Sequence, residues 1–209
     1  MKSILILDAF HRGSHAAWSK GLAASLPLHG WKVELKTLPG RHWKWRMHGA
    51  ALTFATQAIK EGWSRPDVIL ATDMLDITRL RGSLPKNWRS VPIAAYFHEN
   101  QIGFPVNDPD FQNEQVGYGF ANVQSAWAAD AVWFNSQHHL EEMLNGIPEL
   151  FRRLPESAPS ELQEQIRGRA QVMYPGLDLP AISPDRIQRP CNERPIIVWN
   201  HRWEYDKNP

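Results

Sequence analysis

Four short apolar runs, recurring between stretches of helical spacing, constrain this chain more than any other feature. Ile4-Leu5-Ile6-Leu7 ends at Asp8, and Val68-Ile69-Leu70-Ala71 follows Pro66-Asp67. Ile93-Ala94-Ala95-Tyr96-Phe97 ends at His98, and Ala131-Val132-Trp133-Phe134 ends at Asn135. Apolar runs this short, with no polar alternation, suit strands buried on both faces. Trp31, Val33 and Leu35 alternate with charged residues and predict a further strand. Gln171-Val172-Met173-Tyr174, before Pro175-Gly176, predicts a last short one. Between them, Ala16, Ala17, Leu22, Ala23 and Leu26 suit a helix that stops before Pro27. Residues from about 49 to 61 read as a second helix, and Val116, Phe120, Val123 and Trp127 as a third. Ser136 is placed to cap the helix after Phe134. Repeated βα units predict the α/β class: a Rossmann-like parallel sheet with helices on both faces.

The 209 residues suffice for one large domain, or one domain and a fragment. Pro180, Pro184, Pro190 and Pro195 punctuate a polar stretch. The expected organisation is a domain over 1–180, a linker over 181–195, and the opening of a truncated second domain over 196–209. That opening contains a new buried strand, Ile196-Ile197-Val198-Trp199. A single cysteine, Cys191, excludes an internal disulfide and a cysteine-based zinc site. No apolar run is long enough for a signal peptide or a membrane span, so a cytoplasmic protein is expected. A net charge of +1 hides an uneven distribution. Residues 31–63 carry six Lys or Arg against Glu34 and Glu61, whereas residues 98–130 carry five acids and no Lys or Arg.

Ligands of parallel sheets sit beyond the carboxyl ends of the strands, so chemistry is sought there. The turn Gly13-Ser14 feeds a helix N-terminus, a place that can receive a phosphate or sugar through backbone N–H groups. The dinucleotide glycine pattern is absent, which disfavours a nicotinamide oxidoreductase. His98-Glu99-Asn100-Gln101 puts four polar side chains directly after a strand, with His98 able to exchange a hydrogen bond with a reacting oxygen and Glu99 to orient it. It lacks the second histidine of a zinc protease, and the adjacent His138-His139 pair does not make a metal site. Ser136 lacks a hydrolase elbow. Arg41-His42-Trp43-Lys44-Trp45-Arg46 offers cations for phosphates and rings for stacking, as a loop that holds single-stranded nucleic acid would. Arg202 and Lys207, five apart past the final strand, suit a diphosphate.

Five segments together carry a resemblance to a known family. They are Ile4–Asp8 with Gly13-Ser14-His15; Leu38-Pro39 through Arg46; Tyr96 through Gln101; Ala129 through Ser136; and His201-Arg202-Trp203-Glu204-Tyr205-Asp206-Lys207. They resemble the tRNA-queuosine alpha-mannosyltransferase family, glycosyltransferase-like enzymes of the two-Rossmann-domain GT-B fold related to retaining family-four glycosyltransferases. Where that family often has glycine, position 12 is Arg. The resemblance implies an N-terminal, acceptor-side domain that is inactive alone. It implies GDP-mannose as donor, queuosine in tRNA as acceptor, and no metal or other cofactor. In that frame His98 and Glu99 are catalytic. Gly13, Ser14, Arg202 and Lys207 bind the donor. Asn100, Gln101, Arg41, Trp43, Lys44, Trp45 and Arg46 bind the acceptor. The alternatives are a non-catalytic RNA-binding α/β module and a glycosyltransferase with another acceptor.

Overall fold

The computed structural model describes residues 1–104, 109–177 and 197–201, without the side chains of 109–113. Six strands form one all-parallel sheet: β1 (Lys2–His11), β2 (Trp31–Pro39), β3 (Val68–Thr72), β4 (Ile93–Phe97), β5 (Ala131–Phe134) and β6 (Ala170–Val172). Their order is β2-β1-β3-β4-β5-β6. The chain winds outward from β1 to β2 and then returns to the other side of β1. The carboxyl ends of β1 and β3 therefore flank a topological switch point, where open α/β sheets leave a crevice.

Alternation along the strands divides the core. Leu5, Leu7, Ile69, Ala71, Ala95, Phe97, Val132 and Phe134 face one side. There they meet α2 (Trp43–Lys60), α3 (Ile77–Ser83), α4 (Pro109–Ala128), α5 (Gln137–Arg152) and α6 (Leu162–Arg167). Ile4, Ile6, Leu70, Ala94 and Tyr96 face the other side, where α1 (Gly13–Ser25) lays Trp18, Leu22 and Ala23 against them. The expected fold class is thus observed.

Several local expectations are met: α1 ends at Ser25, before Pro27, and Ser136 Oγ caps α5 by accepting from His139 N at 3.1 Å. Pro148 sits inside α5 and removes the donor that Leu144 O would receive. Gln163 Nε2 supplies it instead, at 2.6 Å.

Three expectations are corrected. The second helix begins at Trp43 rather than near 49, so most of the basic aromatic segment is the first turns of α2 and not a loop. Its apolar positions explain this: Met47, Ala50, Ala51 and Phe54 form one buried face continuous with the later turns. The last strand is Ala170–Val172, and Tyr174 lies outside it, exposed. Ile197, Val198 and Trp199 are not a buried strand; they are exposed and have no ladder partner among the described residues. Apolar residues form a buried strand only beside another strand, whatever their own pattern. Ile196, the linker 181–195 and residues 202–209, with Arg202 and Lys207, lie outside the described residues.

Candidate functional site at the strand ends

The end of β1 is built around Asp8, which is fully buried. Its carboxylate accepts from Phe10 N at 3.0 Å and from Ser19 Oγ of α1 at 2.7 Å, and His11 Nδ1 lies 2.7 Å away. The ladder to β2 shifts register between Asp8 and His11. Such a bulge re-aims the residues beyond it. Gly13 opens α1 at φ +54°, where a side chain would be strained, and both Gly13 and Ser14 are exposed. No side chain caps this helix. Arg12 packs close to the next loop, since a Cβ on Gly40 would lie 2.2 Å from Arg12 Cβ.

The ends of β3 and β4 converge on the same place. Asp73 is buried and accepts from His98 N at 3.3 Å. Burial raises its carboxyl to about 7, against the lowering effect of the backbone N–H groups it receives. The His98 ring is walled by His15 (centroids 4.3 Å apart), Trp18 (4.8 Å, perpendicular) and Tyr96 (4.8 Å). Burial drives His98 down to about 3, with His15 and His139 adding to the effect. Burial also lowers His15, opposed by Glu99 and Asp8. Both rings are therefore uncharged near neutral pH. His98 Nε2 and His15 Nδ1 are buried without a hydrogen-bond partner. One ligand-capable atom from each of His15, Asp73 and His98 lies within 4.8 Å of the others, the one such trio among the described residues.

Beyond His98 the loop is held by its own amides. Asn100 Oδ1 accepts from Ile102 N and Gly103 N, both at 2.9 Å, while its Nδ2 donates to Glu142 Oε2 at 3.1 Å. Asn100 thus shapes the loop. Gln101 N donates to Asn122 Oδ1 at 2.9 Å. Gln101 Nε2 reaches Glu99 Oε1 at 3.4 Å, and Gln101 Oε1 is buried and unpartnered.

The α2 segment splits into unlike members. Trp43 packs on Tyr118 (5.0 Å between centroids) and the core, whereas Trp45 is 64% exposed, its ring lying over Gly49. Lys44 pairs with Glu114, Arg46 donates to Pro39 O at 3.1 Å, and Arg41 is exposed.

Trp18, Asp73, Asn122 and Glu142 were not singled out by sequence reasoning, and His15 entered only within the segment Gly13-Ser14-His15, with no role given to it. His15 follows Gly13-Ser14 directly, so position beside a strand-end turn was a usable signal. Asp73, two residues past the apolar run 68–71, carried the same signal.

The family described as tRNA-queuosine alpha-mannosyltransferase N-terminal matches residues 3–177. A curated relative from Drosophila melanogaster, named tRNA-queuosine alpha-mannosyltransferase, is 32% identical over 216 residues, which cover 99% of this chain and 55% of the relative. The chain spans about half the length of that relative.

Proposed function

The chain belongs to the tRNA-queuosine alpha-mannosyltransferase N-terminal family, and from that premise we propose that it forms the acceptor-side domain of a cytoplasmic enzyme that transfers mannose from GDP-mannose to queuosine in tRNA, with retention. One observation carries the reading into the geometry. Two uncharged, buried imidazoles present unpartnered nitrogens at the switch point, where a ligand would complete their hydrogen bonds. No helix among the described residues is long and apolar enough to cross a membrane.

In this mechanism the sugar of the donor lies over His98, whose neutral ring turns the lone-pair side of its unpartnered Nε2 toward the positive charge developing at the reacting carbon and answers it as a dipole, without a formal charge. Glu99, adjoining the amide of Gln101, orients the attacking hydroxyl. Gly13 and Ser14 expose backbone and hydroxyl groups to the donor's phosphate side. Arg202 and Lys207 neutralise the leaving diphosphate, the part a metal ion plays elsewhere. The exposed Arg41 and Trp45 hold the tRNA.

The test is mannose transfer by the full-length protein from labelled GDP-mannose to tRNA containing queuosine, beside the same tRNA with unmodified guanosine. Label is expected only on the first. Tight binding of both tRNAs with no transfer to either would replace the enzyme reading with an RNA-binding module.

A further inference from the structure

Three side chains with metal-binding atoms meet beyond the ends of β1, β3 and β4. His15 comes from the first turn of α1, Asp73 follows β3, and His98 follows β4. One ligand-capable atom from each lies within 4.8 Å of the others. Ligands bonded to one zinc ion at about 2.0–2.1 Å stand about 3.4 Å apart in a tetrahedron. The trio therefore has to close by about 1.4 Å at most to share an ion. His15 is the member able to move in. Its Nδ1 is buried without a partner, and ring contacts with Phe10 and His98 hold it.

The surroundings favour a cation. Asp73 is buried, and no Lys or Arg pairs with it among the described residues. Asp8 lies close enough for its charge to act on both Asp73 and His15, and Glu99 acts on His15 as well. Buried carboxylates are ordinarily paired with a cation or bound to a metal. The frame behind two of the ligands is fixed. Asn122 Nδ2 donates to Asp73 O at 3.3 Å, and Asn135 Nδ2 donates to His98 O at 2.7 Å. His98 N donates to Asp73 Oδ1, which ties the two strand ends together. Such supporting bonds orient metal ligands. Two imidazoles and one carboxylate are the ligand set of a catalytic type of zinc site, which keeps a fourth position open. Magnesium and calcium prefer oxygen ligands alone.

We propose that His15, Asp73 and His98 together bind a divalent cation of the zinc class, and that this ion takes the lone pair of His98 that otherwise faces the donor sugar. Zinc then inhibits transfer by competing with the nucleotide sugar, and no step of the reaction passes through it. The competition rests on the mannosyltransferase reading. Binding of the ion does not, since it follows from the three side chains and their surroundings.

The experiment uses the full-length protein freed of metal, with free zinc set by a chelator buffer so that GDP-mannose does not sequester it. Affinity is read by competition with a chromophoric chelator, and cobalt(II) in place of zinc reports the ligand set through its visible absorption. Wild type is expected to hold one zinc ion that Asp73→Asn and His15→Gln each bind at least about 10- to 100-fold more weakly, the scale of losing even a supporting partner of a ligand. His138→Gln, at an exposed histidine outside the trio, should bind as wild type does. Zinc should raise the apparent KM for GDP-mannose linearly with its free concentration and leave kcat unchanged, and Asp73→Asn should blunt that rise. His15→Gln decides the matter if Asp73→Asn does not fold. Equal zinc binding by wild type and the trio variants, in a protein that transfers mannose, would overturn the site and leave the enzyme reading standing. Trio-dependent binding without any transfer would do the reverse. Zinc that stimulates transfer, or lowers kcat with KM unmoved, would overturn the competition.

Discussion

At the scale of single residues, the active-site proposal turns on a histidine that is uncharged because it is buried. His98 carries its unpartnered Nε2 among His15, Trp18 and Tyr96. A group that acts on charge developing in the transition state changes kcat more than ground-state binding. His98→Ala in the full-length protein is therefore expected to lower kcat about 10²- to 10³-fold, the scale of losing one such dipole, with the KM for GDP-mannose within a few-fold. An unchanged kcat in steady-state assays would return His98 to a packing role. Gln163 makes the opposite kind of contribution, to stability alone. It satisfies the carbonyl that Pro148 leaves without a donor, on a residue, Leu144, that is itself fully buried. Gln163→Ala should cost about 1–3 kcal/mol in chemical denaturation, the penalty of an orphaned buried acceptor.

At the scale of elements, α2 converts a basic aromatic sequence into two differently used faces. Trp43 and Met47 turn inward and Trp45 turns outward. Trp43→Ala should lower the melting temperature, since a packed ring is lost. Trp45→Ala should melt normally and weaken tRNA binding by about 1–3 kcal/mol at every salt concentration, as loss of a stacking face would. The cations differ too. Arg41 is exposed, while Lys44 is paired with Glu114 and must give up that partner to reach a phosphate. Arg41→Ala should thus reduce the salt slope of tRNA binding by about 0.7–0.9, and Lys44→Ala by less. Equal slopes for wild type and Arg41→Ala would remove this end of α2 from the RNA surface.

At the scale of the whole molecule, buried groups from separate elements set one pH response. His98 and His139 are lowered by burial to about 3 and about 4, from 6.5. Below pH 6.5 the unfolded chain binds protons at both that the native protein refuses, so these two stabilise the fold above that pH and lose their effect as pH falls. Asp73 acts oppositely: raised from 3.8 to about 7, it favours the native state below about 3.8 and loses that effect as pH rises to 7. Near pH 5.5 two histidines outweigh one aspartate, with His15 adding to their side. Unfolding there should take up about one proton, so stability should fall by about 1 kcal/mol per unit of acidification. Asp73→Asn should steepen that fall to about twice the slope, measured by urea unfolding at several pH values. A flat profile between pH 5 and 6.5 in the unsubstituted protein would mean these histidines are not held neutral.

Strand-forming runs, helical spacing, the cap at Ser136 and the polar tetrad after Phe97 were all legible in the sequence. Each depends on residues a few positions apart, and the resulting βα alternation determined the fold class. The start of α2 was missed because its Trp- and Lys-rich first turns look like a surface loop until the buried face at Met47 and Ala50 is seen to include them. Apolarity at 197–199 spoke for a buried strand, but burial needs a neighbouring strand, and no pattern within a run supplies one. The assembly of the candidate site belongs to the second kind of information. His15, Asp73 and His98 are far apart in sequence and meet only because the strand order places β1, β3 and β4 side by side. Glu142 reaches the loop after His98 from a helix some forty residues on, through a gap that two glycines leave open. Local composition determined which residues could do chemistry, and the crossovers of the sheet decided which of them meet.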